Sequence, residues 1–200
     1  MKKKFLSILV AACMMVTLLP VIALAENEVA AIGDDLYSTL ADAVTAAGTE
    51  PTEIKLIGNT TENVVIGADQ NITIDLNGFT LSGGTDRVDG AVTEHKDKPA
   101  ILNNGTVTII DNSADGTGVI KRDDVKVGSD SYYVIDNQGI MTIKSGTIQN
   151  DSGLNGSGSS LIRNAGKTAG KGVLNIEGGT FTQDNFIVIK NDDYGVLNIT

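Results

Sequence analysis

A short motif recurs four times in the second half of the chain and constrains its fold more than any other feature. Each copy has two aliphatic residues, one variable residue and an asparagine, followed by a glycine and a second strand-like run. The copies are Ile101-Leu102-Asn103-Asn104, Val134-Ile135-Asp136-Asn137, Leu161-Ile162-Arg163-Asn164 and Val188-Ile189-Lys190-Asn191. Their last residues, separated by 33, 27 and 27 positions, are Asn104, Asn137, Asn164 and Asn191. A period of this length is typical of solenoid proteins.

The content of the repeat selects among the solenoid classes. Alternating aliphatic runs such as Val107/Ile109 and Leu174/Ile176 follow the asparagines, and no helical pattern interrupts them. This excludes leucine-rich, ankyrin and tetratricopeptide arrays, and the 4% aromatic content argues against a propeller with its aromatic signatures. The sequence therefore predicts an all-β parallel β-helix with three short strands per coil. The asparagines are expected to form a hydrogen-bonded ladder at one turn of the coil.

One helix is predicted ahead of the repeats, from Asp34 to Ala47. Its apolar stripe would consist of Leu36, Leu40, Ala43, Val44 and Ala47. Gly48 would end it, and the candidate residues to cap its start are Asp34, Asp35 and Ser38. We expect this helix, within a segment at 26–50, to cover the open end of a β-helix that spans 51–200.

The N-terminus has the three parts of a secretory signal in residues 1–25. Three lysines precede an apolar run that ends in Ala23-Leu24-Ala25, with small residues at the −3 and −1 positions of a cleavage site. The single cysteine, Cys13, lies in that run, so disulfide frameworks and cysteine zinc sites are excluded. An uncleaved membrane anchor is the alternative, because the run approaches spanning length. Cleavage predicts an exported protein in the extracellular space, the cell wall or the cell surface.

The charge of the chain limits its partners. The 25 acidic and 15 basic residues give a net charge of −10. Signal cleavage would remove three lysines and no acidic residue, which leaves 12 basic and 25 acidic side chains and a net charge of −13. Such a chain lacks the basic surface that holds phosphate backbones, so nucleic acid is excluded as a partner. No membrane insertion is expected after cleavage.

Two further stretches resemble a known family. They are Tyr37-Ser38-Thr39-Leu40-Ala41-Asp42-Ala43-Val44 and Ile72-Thr73-Ile74-Asp75-Leu76-Asn77-Gly78-Phe79-Thr80-Leu81. With the later Asn-x-Gly and Gly-Gly-Thr-Phe units, they resemble the right-handed parallel β-helix (pectin-lyase-like) modules of exported surface proteins from Gram-positive gut bacteria. The resemblance covers about Ile32 to Thr200. It implies a right-handed β-helix, a helix that caps its N-terminal end, and further surface domains on a longer chain.

The enzymes of that family would use clustered carboxylates, and this sequence offers few. They cleave acidic polysaccharides with Asp-bound Ca²⁺ and a basic residue, or with close pairs of Asp. The Gly-His-Gly and Asn-Thr-Asp motifs are absent, and the only histidine, His95, lies in a charged stretch. Neighbouring carboxylates on a strand point to opposite faces, which weakens the pairs Asp123-Asp124 and Asp192-Asp193. No catalytic residue is assigned.

Two weaker candidate sites remain. Asp111, Ser113 and Asp115, followed by glycine, match the first half of a calcium loop, and calcium is the only candidate cofactor. Arg122 stands at the twelfth position, where a bidentate glutamate belongs, so an Asx-rich turn is the alternative. Tyr132 and Tyr133 are candidates to stack on a sugar ring, or else to pack against the protein.

These features predict a non-enzymatic adhesin or a scaffold that binds a glycan or a host-surface ligand. The alternative is a polysaccharide lyase or glycoside hydrolase that acts on acidic polysaccharide, and a passive spacer is a third hypothesis. The last strand, Tyr194 to Thr200, has no closing element behind it, and an open coil end exposes core and strand edge. We therefore expect a truncated, monomeric module of a longer protein.

Overall fold

The computed structural model describes residues 28–83, 87–88, 91–92, 99–122, 133–150, 160–166, 168, 170–183 and 187–200. The predicted signal at 1–25, His95, Asp123-Asp124 and Tyr132 lie outside these ranges. Within them the chain is mostly β-structure with a single helix. The elements in chain order are β1 (Ala30–Ile32), β2 (Asp35–Tyr37), α1 (Leu40–Ala47), β3 (Thr52–Leu56), β4 (Thr60–Thr61), β5 (Val64–Ile66), β6 (Asn71–Asp75), β7 (Thr80–Gly83), β8 (Arg87–Val88), β9 (Ala91–Val92), β10 (Ile101–Asn103), β11 (Thr106–Ile110), β12 (Val119–Arg122), β13 (Tyr133–Asn137), β14 (Ile140–Ile143), β15 (Thr147–Asn150), β16 (Ser160–Gly166), β17 (Val173–Ile176), β18 (Thr180–Thr182), β19 (Ile187–Asp193) and β20 (Val196–Ile199).

Three sheets contain one strand from each successive coil. The first sheet has the order β2-β1-β3-β6-β11-β14-β17-β20, the second β4-β7-β12-β15-β18, and the third β5-β10-β13-β16-β19. The chain visits the sheets in that order, and equivalent strands of neighbouring coils pair in parallel. A separate antiparallel pair joins β8 to β9. Parallel sheets with strands in stacked order form an all-β solenoid-like fold, which confirms the predicted class at this level.

The core consists of aliphatic rows that run through the coils. In the first sheet the register aligns Ile54, Ile74, Ile109, Ile143 and Ile176. These side chains are between 0 and 7% exposed. Complete burial of one such side chain contributes about 1.5–3 kcal/mol. The row explains why the sequence needs few aromatic rings, since stacked coils fill the interior with equivalent β-branched side chains.

The helix begins later than the sequence predicts. Asp35–Tyr37 is the strand β2, which pairs antiparallel with β1 through a turn at Gly33, where φ is +58°. Leu36 therefore lies in a strand and is 47% exposed instead of joining the helical stripe. The helix starts at Leu40, and its N-cap is Thr39, whose Oγ1 accepts a hydrogen bond from the Asp42 N–H at 3.0 Å. The predicted caps Asp34, Asp35 and Ser38 are wrong because hairpin pairing overrides the helical spacing. Gly48 ends the helix as predicted.

The helix packs against the first coil. Leu40, Ala43 and Val44 belong to the same buried cluster as the aliphatic rows. The carboxylate of Glu62 accepts the Leu40 N–H at 2.8 Å and the Ala41 N–H at 3.0 Å, which satisfies unpaired donors at the positive end of the helix. Strand β1 pairs antiparallel with β3. Hairpin and helix together cover the edge of the first coil that would otherwise be open to pairing.

The asparagine ladder passes through Asn103 instead of Asn104. Asn103 Nδ2 donates to Asn137 Oδ1 at 2.8 Å, Asn137 to Asn164 at 2.7 Å, and Asn164 to Asn191 at 2.7 Å. The register pairs Asn103 with Asn137, so the aliphatic pair of the first copy is Ala100-Ile101. The two adjacent asparagines make the alignment of the sequence ambiguous, and the predicted ladder position Asn104 is wrong. The side chain of Asn104 instead makes one long hydrogen bond, 3.3 Å, to the Ile66 carbonyl.

The glycine that follows the asparagine allows the turns to stack. A Cβ on Gly139 would lie 2.1 Å from the Gly105 carbonyl oxygen, and one on Gly105 would lie 2.3 Å from the Gly67 carbonyl oxygen. Both distances are shorter than any contact a carbon atom tolerates. The Asn-x-Gly unit therefore has two roles. The asparagine supplies a side-chain amide for the ladder, and the glycine has no Cβ that would collide with the backbone of the neighbouring coil.

A candidate binding corner between the second and third sheets

The connections from the second to the third sheet contain the extra residues of most coils. They are residues 62–63, 84–100, 123–132, 151–159 and 183–186. The sequence of the three longest of these connections is largely polar. Elsewhere the longest connection between two strands of successive sheets is 111–118. Insertions at one position of a solenoid repeat lie along one edge of the molecule, and such loops often bind ligands.

A row of charged side chains runs beside this corner on the outer face of the third sheet. The variable position of the repeat motif is occupied by Leu102, Asp136, Arg163 and Lys190, and the register pairs each with the next. Equivalent positions of stacked strands are neighbours about 4.8 Å apart. The motif therefore places a carboxylate, a guanidinium and an ammonium group side by side.

Ion pairs connect this row to Asp192. Asp136 Oδ2 lies 3.3 Å from Arg163 Nη1, and Asp192 Oδ2 lies 3.7 Å from Arg163 Nε. The shortest pair joins Lys190 Nζ to Asp192 Oδ2 at 2.9 Å. The hydrogen bond that Lys190 donates to Asp192 raises the pKa of Lys190 above its ordinary value. Gln138 Nε2 also donates to Asp136 Oδ2 at 3.1 Å, so this oxygen has two donors.

Tyr133 lies at the end of this cluster nearest the corner. The guanidinium carbon of Arg163 lies 5.7 Å from the centre of its ring, within the range of a cation–π contact. The Tyr133 carbonyl accepts a hydrogen bond of 3.1 Å from Nη1 of Arg122, whose residue is only 2% exposed. The backbone of the tyrosine is thus fixed by a buried group while its ring remains half-buried. We refer to Tyr133, Asp136, Arg163, Lys190 and Asp192 as the corner cluster.

The corner cluster contains one buried polar atom without a hydrogen-bond partner, and a second lies beside it. Among the described residues, three buried side-chain atoms have no hydrogen-bond partner, namely Glu28 Oε2, Asp136 Oδ1 and Ser160 Oγ. Two of the three lie here, because Asp136 belongs to the cluster and Ser160 pairs in register with Tyr133. Buried polar atoms without partners are rare in proteins, and each calls for an explanation such as a missing ligand, ion or water.

The candidate calcium ligand Asp111 binds backbone groups. Its Oδ1 accepts the Gly78 N–H at 2.8 Å and the Ser113 N–H at 3.2 Å, and its Oδ2 accepts the Gly118 N–H at 2.7 Å. Burial alone would raise the pKa of Asp111, but these hydrogen bonds and one from the Ser113 hydroxyl outweigh burial and lower it. Asp115 is exposed. The carboxylate of Asp111 thus holds an Asx-type turn and ties two coils together.

Neither a metal-binding cluster nor a membrane-spanning helix is found among the described residues. No three histidine, cysteine, aspartate or glutamate side chains within the described ranges lie close enough together to hold a metal ion. No described helix is long and apolar enough to cross a membrane. Of the acidic pair at Asp192-Asp193, Asp192 contacts Arg163 and Lys190, while Asp193 is exposed and has a φ of +47°.

Only part of the corner cluster can be predicted from the sequence. Residue type marks Tyr133 as a candidate, whereas Arg163 and Lys190 stand at the variable position of the motif. The usable signal is their spacing, since Asp136, Arg163 and Lys190 recur every 27 residues and all carry a charge. A repeat of one coil length stacks such residues directly, which turns a sequence period into a charged row.

Comparison with known proteins identified no relative of this chain. No family model matches the chain, no curated protein resembles it, and no solved structure matches its fold. The functional interpretation therefore depends on the geometry of the coils and of the corner cluster.

Proposed function

We propose that the protein is an exported, cell-surface β-helix scaffold that binds a glycan without cleaving it. The coil would be right-handed, since crossovers between parallel strands of a sheet are right-handed in about 98% of proteins. The secretory features of residues 1–25 support export. The resemblance to pectin-lyase-like surface modules supports the same placement.

One observation carries the proposal. The longest connections of three successive coils all join the second sheet to the third, and the corner cluster beside them combines an aromatic ring with charges of both signs. A stack of coils is a rigid support, and variable loops on one edge of a rigid support form the usual arrangement of a recognition surface. Aromatic rings and charged groups in such a surface suit sugars, which offer both apolar ring faces and hydroxyl groups.

The environment of the carboxylates favours binding over hydrolysis. Asp136 and Asp192 each contact the guanidinium group of Arg163. Glycoside hydrolysis requires two carboxyl groups that flank the bond to be cleaved. A carboxylate engaged by a guanidinium group is better suited to orient a ligand than to transfer a proton to it.

The test combines binding and turnover on the same sample. The mature chain, residues 26–200, is applied to a glycan array and is then incubated with pectin, alginate and glycosaminoglycans. We expect binding to at least one glycan, with no new reducing ends and no ultraviolet-absorbing unsaturated uronides. The matched control is Lys144→Ala, which removes an exposed ion pair with Glu177 on the first sheet and should leave binding unchanged. Released products would establish the enzyme alternative, and a folded chain that binds no glycan would refute the proposal.

A further inference from the structure

We propose that the corner cluster selects a neutral, hydroxyl-rich saccharide and that Arg163 is a displaceable cover over its binding position. This inference rests on the proposed function and names the ligand class. The saccharide would take the ring face of Tyr133 that Arg163 now occupies, and one hydroxyl would donate to Asp136 Oδ1.

The charges of the cluster cancel. Asp136 and Asp192 carry one negative charge each, Arg163 and Lys190 one positive charge each, and the ion pairs bring them together. The whole chain has a net charge of −10, so the surroundings add negative potential. A polyuronate would gain no net attraction at such a site and would be repelled at longer range. A neutral sugar is not repelled by this negative potential.

The unsatisfied atom of Asp136 needs a donor. An ionised carboxylate only accepts hydrogen bonds, and Oδ2 already receives Arg163 Nη1 and Gln138 Nε2 while Oδ1 receives nothing. The residue is 8% exposed, so a buried acceptor is involved. Sugar hydroxyls can donate to it. A hydrogen bond to a buried carboxylate is stronger than one between neutral groups, which makes this atom an effective anchor.

Access to that atom requires a side chain to move, and Arg163 is the best candidate. Its pairs with Asp136 and Asp192, at 3.3 and 3.7 Å, are longer than the 2.7–2.9 Å typical of a charge-assisted hydrogen bond. Its 5.7 Å distance from the Tyr133 ring is close to the limit of about 6 Å for a cation–π contact. The side chain is 28% exposed and can be solvated when it swings outward. Lys190 keeps Asp192 neutralised at 2.9 Å after Arg163 leaves.

The experiment measures affinity by calorimetry for neutral and anionic sugars of equal length. The probes are cellohexaose, mannohexaose, galactohexaose and hexagalacturonate, at low and at high sodium chloride. We expect at least one neutral hexasaccharide to bind, with an affinity that hardly depends on salt. Asp136→Asn replaces the acceptor by an amide of the same shape and should weaken that binding by about tenfold or more. The matched control Glu177→Gln makes the same carboxylate-to-amide change in an exposed ion pair with Lys144, outside the corner cluster, and should change the affinity by less than about threefold.

A second variant guards against a folding defect in Asp136→Asn. Tyr133→Leu keeps apolar volume, removes the ring and should weaken binding of the same neutral hexasaccharide by about fivefold. Binding that neither variant changes would place the sugar elsewhere, which refutes this inference and leaves the proposed function intact. Preferred binding of hexagalacturonate with a steep salt dependence would also refute it. Failure of all four probes and of the glycan array would refute the inference together with the proposed function.

Discussion

Asn137 connects three coils through one side chain. Its Nδ2 donates to Asn164 Oδ1 at 2.7 Å and to the Val173 carbonyl at 2.9 Å, and its Oδ1 accepts from Asn103 at 2.8 Å. The side chain is completely buried, so water cannot replace these bonds. Interior amides of this kind are stabilising only when every donor and acceptor is satisfied.

Replacement of this side chain tests the ladder and its register. Asn137→Ala should lower the free energy of unfolding by about 2–4 kcal/mol, because it removes the buried hydrogen bonds to Asn103, Asn164 and the Val173 carbonyl. Asn104→Ala is the matched control, since Asn104 makes only one side-chain bond of 3.3 Å, and it should cost less than about 1 kcal/mol. Urea denaturation measures both. The opposite ranking would mean that the ladder passes through Asn104 after all.

Asp111 makes stability depend on pH in the acid range. Its pKa is lower in the folded chain than the ordinary value of 3.8, so its contribution is complete above that pH and is lost as the pH falls below it. Asp111→Asn should therefore destabilise the protein by about 1–3 kcal/mol at pH 7, and the difference from the parent should shrink below about pH 3.8. Asp115→Asn, in the same turn but exposed, should have little effect at any pH. A pH-independent loss at Asp111 would show that its charge is not what the turn needs.

At the scale of single elements, the stacked strands separate an apolar inner face from a polar outer face. In β17, Ile176 is 7% exposed and aligns with Ile143, while Asn175 points to the outer face and donates to the Thr142 hydroxyl at 3.2 Å. Successive residues of a strand point to opposite faces. Two neighbouring positions therefore differ sharply in what they tolerate.

The same charge placed on each face should have different effects. Ile176→Asp buries an unpaired carboxylate in the aliphatic row and should cost about 4 kcal/mol or more, whereas Asn175→Asp should cost less than about 1 kcal/mol. Thermal melting followed by circular dichroism compares the two variants with the parent. Equal melting temperatures for the parent and Ile176→Asp would contradict the inward orientation of this residue.

How far the elements could be predicted differs from place to place. The repeat predicted the strand rows because a solenoid converts sequence period directly into stacking. The start of the helix was missed because the spacing of Leu36 and Leu40 suits a helix as well as the end of a hairpin, and only the pairing of β1 with β2 decides between them. The doubled asparagine at Asn103-Asn104 left the register open by one residue, which the alternating burial in β10 resolves.

At the scale of the whole molecule, the sequence alone does not predict that the long connections all lie at the corner between the second and third sheets. The inserts are visible as polar stretches, but their stacking on one edge follows from the assignment of every strand to a sheet. The same holds for the contacts of Asp136, Arg163 and Asp192, which are distant in sequence and meet only through the coil register. A rigid stack with variable connections on one edge is the arrangement from which we derive a binding function.

Hydrogen exchange with and without a bound saccharide tests that claim most directly, because it locates the ligand without a mutation. We predict slower exchange of backbone amides in peptides that contain β13 and β16, residues 133–137 and 160–166, and in the connections of the same corner. Peptides that cover α1 and β17 should exchange at the same rate in both samples. Protection confined to the helix or to the outer face of the first sheet would contradict the account.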